Sequence, residues 1–164
     1  MLKKILIGLA IVFVTIQFFR PARNNSGDTS MDIRKKYAVS HDVDQILERA
    51  CNDCHSNNTR YPWYAEVQPV GWWLSDHIKE GKRRLNLNNF LSNRVAVQKH
   101  RMEDCIEQID NGGMPLDSYL WIHKEAKLSD ADRETLKSWC RGVIDSLKAQ
   151  YPADSLVMPK RRRS

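Results

Sequence analysis

Cys51-Asn52-Asp53-Cys54-His55 is the stretch of this 164-residue chain whose residue types and spacing could do chemistry by themselves. Two thiols about one helical turn apart, followed at once by an imidazole, form C-x-x-C-H, the attachment signature of c-type haem. The thiols would add across the two vinyl groups of the porphyrin, and His55 would then face the iron as its proximal ligand. Three other uses of two cysteines compete with this reading. A thioredoxin-like C-x-x-C needs a strand before it and a helix after it, whereas here a helical pattern precedes and a Pro/Asn-rich loop follows. Zinc would want a second ligand pair at comparable spacing, and Cys105 and Cys140 stand alone and far apart. A Cys51–Cys54 disulfide leaves His55 without a task.

A six-coordinate haem needs a second axial residue from a distant, sharply turned stretch. Met114 in Gly112-Gly113-Met114-Pro115 fits, because glycine lets backbone approach closely and proline fixes φ just past the ligand. His77, His123 and Met102 are the other candidates, while His41 and His100 lie in polar settings and suggest nothing specific. Trp63, Tyr64 and Trp72 are expected in the cofactor-binding wall, with Trp73 beside them and Tyr61 and Tyr64 able to donate to propionates. Arg60, Lys82, Arg83 and Arg84 are candidate propionate partners, or simply a solvated basic face. Cys105 and Cys140 fall on apolar helix faces and read as buried thiols, able to pair as a disulfide in an oxidising compartment.

The elements that must carry these residues read as helices throughout. Ser40 can cap a helix in which Val43, Ile46, Leu47, Ala50, Cys51 and Cys54 recur at helical spacing. Ser56 to Gly71 reads as a long loop, Trp72 to Lys82 as a helix stopped near Gly81, and Asn93 to Asn111 as another. A short helix is expected over Asp117 to Lys124. Ser129 then caps a last one with Leu136, Trp139, Cys140, Val143, Ile144 and Leu147 on one face. No strand pattern and no internal repeat competes.

Composition sets the frame around them. The formal charge of +6 is unevenly spread: residues 1 to 36 hold seven Lys/Arg against two Asp/Glu, residues 160 to 163 are all basic, and residues 37 to 159 hold fifteen against eighteen. The folded part is thus mildly acidic, which argues against a nucleic-acid partner. Ile5 to Phe19 is an uncharged apolar run after Lys3 and Lys4, with no small-x-small cleavage site behind it, so residues 1–22 read as an uncleaved membrane anchor. Residues 23–39 read as a flexible linker, 40–151 as the domain, and 152–164 as a basic flexible tail. Counting Lys and Arg around the run would place the domain in the cytoplasm.

The chain also resembles the small bacterial haem-binding domain proteins built around one C-x-x-C-H, which look like compact relatives of cytochrome c. The likeness runs from about Asp42 to Val143 and includes Cys51 to Tyr64, Val67 to Asn86, Gly112 to Pro115 and Tyr119 to Trp139. It implies an all-α, cytochrome c-like domain wrapped round one covalent haem c per chain, behind an N-terminal anchor helix. It also implies a place outside the cytoplasmic membrane, where haem is attached to such motifs, and this overrides the charge count. The expectation is therefore a single-pass, membrane-tethered monohaem protein facing the periplasm and passing single electrons to partner proteins, with no catalytic residues of its own. A five-coordinate haem sensor or a peroxidase-like enzyme is the alternative, in which Met114 would be a bystander.

Overall fold

The computed structural model describes residues 1–158 and is helical, with no strand among the described residues beyond one isolated bridge. Its helices are α1 (Leu2–Ile16), α2 (His41–Ala50), α3 (Asn52–His55), α4 (Val70–Arg84), α5 (Val95–Asp110), α6 (Asp117–Leu120) and α7 (Asp130–Gln150). Short 3₁₀ turns at Trp63–Glu66, Leu87–Ser92 and Lys124–Ala126 join them. Ser40 caps α2 by accepting from the Val43 amide at 3.3 Å. At α7, Ser129 and Asp132 exchange side chain to backbone bonds in a full capping box, which satisfies two amides the helix itself leaves unpaired.

The main core lies between α2, α5 and α7 and holds Val43, Ile46, Leu47, Met102, Leu136, Cys140, Val143 and Leu147. Ile33 and Tyr37 from the segment before α2, and Leu87 and Phe90 from the 3₁₀ turn after α4, close it. A second, smaller cluster of Tyr64, Leu74 and Ile78 sits under α4. Gly81, expected to end α4, lies inside it. A Cβ there would stand 2.8 Å from the Cys54 carbonyl oxygen, so the absence of a side chain lets α4 press directly on α3.

The N-terminal region differs from expectation in two ways. The apolar run forms a helix of 15 residues with none buried, roughly 22 Å long at 1.5 Å per residue. Among the described residues no helix is long and apolar enough to cross a membrane. The helix stops because Gln17 turns into the domain, its side chain accepting from the Gln68 amide at 2.8 Å and donating to the Gln68 carbonyl at 3.1 Å.

Residues 23–39 are not a flexible linker but a strap bound along the domain. The Asn24 side chain donates to the Ser56 carbonyl and the Thr59 hydroxyl, both at 2.9 Å, and its backbone nitrogen donates to the Tyr61 hydroxyl at 2.7 Å. Asn25 and Asn58 form an antiparallel bridge, Arg20 and Arg23 both pair with Glu66, and Ile33 and Tyr37 are buried. Residues 152–158, expected in a flexible tail, are held instead, because Ala153–Leu156 form a 3₁₀ turn that buries Leu156 in the main core. The basic run Lys160 to Arg163 lies outside the described residues.

Candidate functional site

The C-x-x-C-H motif occupies the end of α2 and the single turn of α3, against α4. Asp53, between the two cysteines, is the fastening point. It accepts from the Tyr119 hydroxyl at 2.8 Å and from the Arg60 backbone and side chain, and its carbonyl accepts from the Thr59 hydroxyl at 2.6 Å. Behind Tyr119 its ring stacks on His123 at 4.2 Å. The Nδ1 of His123 lies 3.2 Å from Glu125, and its Nε2 lies in hydrogen-bond contact with the Tyr64 hydroxyl at 2.9 Å.

His55 is fixed from the other side. Its Nδ1 lies 2.9 Å from the Leu85 carbonyl, which can only accept, so Nδ1 is the protonated nitrogen and Nε2 keeps its lone pair. Burial lowers the pKa of His55 below the ordinary histidine value, partly offset by the carbonyls of Leu85 and Gly81. The imidazole is therefore neutral and ready to ligate at pH 7.

A cavity of about 570 Å³ opens beside this histidine, within the usual range of about 300–1,000 Å³ for small-molecule and cofactor sites. Cys51, His55 and Met114 all line it, so the structure brings together three of the residues singled out from sequence across 63 positions. The remaining wall is mainly apolar, with Leu47, Leu85, Leu87, Ile109, Leu128, Leu136 and Trp139. Met114 arrives there because Gly112 adopts φ +67°, reversing the chain at the end of α5.

The thiols are not arranged for thiol–disulfide exchange. Burial, with the neighbouring Cys105 and Cys54, pushes Cys51 up to about 12. Burial and Asp53 push Cys54 up to about 11. Reactive cysteines have depressed values, so a thioredoxin-like centre does not fit. Among the described residues no group of three or more His, Cys, Asp or Glu side chains is placed to hold a metal ion.

Residues 11–142 match the family described as haem-binding domain. The chain belongs to this haem-binding domain family. Comparison with curated proteins and with solved structures gives no match. The residues present fit the family's cofactor: a neutral imidazole, a thioether and a thiol face one apolar cavity of suitable size.

The rest of the sequence-chosen set stands elsewhere in this haem-binding domain. Cys54, expected at the cofactor, does not line the cavity and packs instead with Tyr64, Leu74 and Ile78. Trp63 is 78% exposed, Tyr64 belongs to the second cluster, and the Trp72 indole donates to the Phe19 carbonyl at 2.6 Å, so none of the three lines the cavity. Tyr64, in the loop after α3, turns to His123, and Trp72, in the first turn of α4, turns to Phe19 just past α1. His77 lies against Trp73 on the outside of α4, and Met102 is wholly buried in the main core. Of the four basic candidates only Arg84 lines the cavity; Arg60 holds Asp53, Lys82 donates to Asn24 and Arg83 to Glu80.

Trp139 is the tryptophan of the cavity wall, and its indole donates to the Ala38 carbonyl at 3.1 Å. Sequence reasoning also passed over His100, Arg101 and Asp104, which share the wall with Cys105 and Gln108. The signal was present, since positions 100, 101, 104, 105 and 108 trace one face of a helix.

Proposed function

We propose that this haem-binding domain carries one haem covalently through Cys51 and Cys54, with His55 and Met114 as axial ligands, and that it passes single electrons at the periplasmic side of the cytoplasmic membrane. The observation that carries the reading is the His55 imidazole, held by the Leu85 carbonyl with its other nitrogen unprotonated, in the same cavity as the Met114 thioether. Bound there, haem supplies a one-electron iron couple. The chain's own residues do the rest. The Leu85 carbonyl fixes the tautomer and raises the basicity of His55, the apolar walls keep water away, and a thioether partner favours the reduced state. Attachment through the second thioether calls for Cys54 to turn from its place against Tyr64.

Membrane attachment rests on α1, which carries no charge after Lys4 and buries none of its residues. Its junction with the domain exposes Phe18, Phe19, Val70, Trp72 and Trp73, a set suited to the bilayer interface. Because the strap is bound, the domain would sit directly on the membrane rather than hover above it. Redox partner proteins are then reached from the exposed side.

The test is to export the full chain together with haem-maturation factors, then to probe haem on denatured protein and record oxidised, reduced and CO-exposed spectra. Haem that survives denaturation and ignores CO supports the reading. Ready CO binding would replace electron transfer by the five-coordinate sensor or peroxidase, and haem lost on denaturation would sink covalent attachment.

A further inference from the structure

The cavity is apolar inside but charged at one side, where Glu80 and Arg84 of α4 meet His100, Arg101 and Asp104 of α5. The two arginines are drawn together across the helices. Arg101 Nη2 donates to the Arg83 carbonyl at 3.3 Å, which brings its guanidinium from the middle of α5 to the last turn of α4, next to Arg84. A basic last turn on α4 is explained by the helix dipole alone, but a mid-helix arginine reaching over to it is not.

We propose that Arg84 and Arg101 form the seat for the two propionate groups of the haem. The proposal rests on the reading that this cavity holds haem, and it adds which end of the molecule lies where. Haem carries its vinyl groups and its two carboxylates on different edges. With the vinyl edge at the cysteines of α2 and α3, a carboxylate edge remains to be met, and two planar guanidiniums with fork geometry are the side chains best matched to two carboxylates.

The present partners of these arginines do not hold them strongly. Arg84 Nε lies 2.9 Å from Glu80 Oε1, with side chains 66% and 50% exposed, and Arg101 Nη1 lies 3.6 Å from Asp104 Oδ2. The exposed Arg84–Glu80 pair contributes little, and the half-buried Arg101 stands beyond hydrogen-bond distance from Asp104, so either guanidinium can exchange its carboxylate for a propionate while its other N–H groups keep their bonds. Arg83 is the natural control. It neighbours Arg84 and carries the same charge, but both its bonds go to Glu80 and it does not line the cavity.

The experiment uses the full chain loaded with haem and compares Arg84→Gln, Arg101→Gln, the double variant and Arg83→Gln. The readouts are the propionate bending bands in the resonance Raman spectrum and the midpoint potential. Expected are shifted propionate bands in each cavity variant, both bands moved in the double variant, a lowered potential wherever a cation next to the haem is lost, and bands unmoved in Arg83→Gln. Unmoved bands in the haem-loaded double variant would overturn the proposal, as would an equal response in Arg83→Gln, which would mean a general charge effect. Should the double variant fail to fold, Arg101→Lys, which keeps the charge but loses the fork, must still move one band. A wild-type chain that takes up no haem overturns the haem reading itself, which is a separate result.

Discussion

Gly81→Ala sets two effects of opposite sign against each other at the contact between α4 and the C-x-x-C-H turn. Replacing a helix-interior glycine by alanine gains about 1 kcal/mol in helix propensity. At Gly81 the new methyl would lie 2.8 Å from the Cys54 carbonyl oxygen and 3.2 Å from the Cys54 Cβ, and the first of these is backbone that cannot rotate away. Overpacking of that kind costs about 1–3 kcal/mol, so the net expectation is a loss of about 1 kcal/mol. Gly142 in α7 supplies the reference, because a Cβ there meets nothing within 4 Å and only the propensity gain of about 1 kcal/mol remains. Urea unfolding of the two variants beside the parent reads the difference. With a slope of about 2 kcal/mol per molar, Gly81→Ala should lower the midpoint by about half a molar unit and Gly142→Ala should raise it by as much. The haem-loaded Gly81→Ala chain should also show altered axial absorption, since Gly81 and Leu85 belong to the segment that holds His55. If Gly81→Ala stabilises as much as Gly142→Ala, the close approach of α4 to the motif is not real and the positioning argument for His55 goes with it.

Met114→Ala in the haem-loaded chain should abolish the thioether-to-iron charge-transfer band and lower the potential; an unchanged spectrum would remove Met114 from the iron. Asn24→Ala deletes the side chain that bonds Ser56 and Thr59, and should cost about 1–3 kcal/mol while speeding protease cleavage between residues 20 and 31. Cleavage as slow as in the parent would mean that the strap is held by other contacts. Burial would raise the carboxyl pKa of Asp132, but the bonds from Ser129 and Arg49 outweigh it and hold it below the ordinary value. The stabilisation is therefore present at pH values above the unfolded-state pKa near 3.8 and fades as the pH falls through the lower folded-state value. Asp132→Asn should accordingly cost about 1 kcal/mol at neutral pH, and the gap to the parent should narrow in acid denaturation curves taken below that range. In the haem-loaded chain Cys105 and Cys140 should label with a maleimide only after denaturation, because both thiols are packed between α5 and α7; rapid labelling of native protein would contradict that packing.

What was legible in the sequence was whatever a short window contains. Ser40 and Ser129 announce their helices because a cap and its amide lie three residues apart. That Cys51, His55 and Met114 would meet in one place was suggested by local signatures, the five-residue motif and the Gly-Gly-Met-Pro turn, and they do line one cavity. The strap was not. Asn24, Asn25, Ser26, Gly27 and Asp28 have the composition of a turn, and the bonds that make them structure go to Ser56, Asn57, Thr59 and Tyr61, about thirty positions away or more. The aromatic residues failed for a related reason. Trp63, Tyr64 and Trp72 follow the motif closely in sequence, and proximity suggested contact with a cofactor, yet Trp63 is exposed, Tyr64 meets His123 and Trp72 on α4 meets Phe19. Trp139 reaches the cavity from almost ninety positions downstream because its helix face was legible, although what that face would meet was not.

The placement of the two cysteines explains why the motif stands where it does. Cys51 packs against the main core of α2, α5 and α7, whereas Cys54 packs against the second cluster under α4. The three residues from one to the other therefore cross the seam between the two apolar bodies of the domain, and Gly81 is the point at which α4 closes on that seam. A group bonded to both sulfurs would tie the two clusters through a single rigid body. Haem attached in that way would add a covalent link beside the polar fastenings that Asp53 already makes with Thr59, Arg60 and Tyr119.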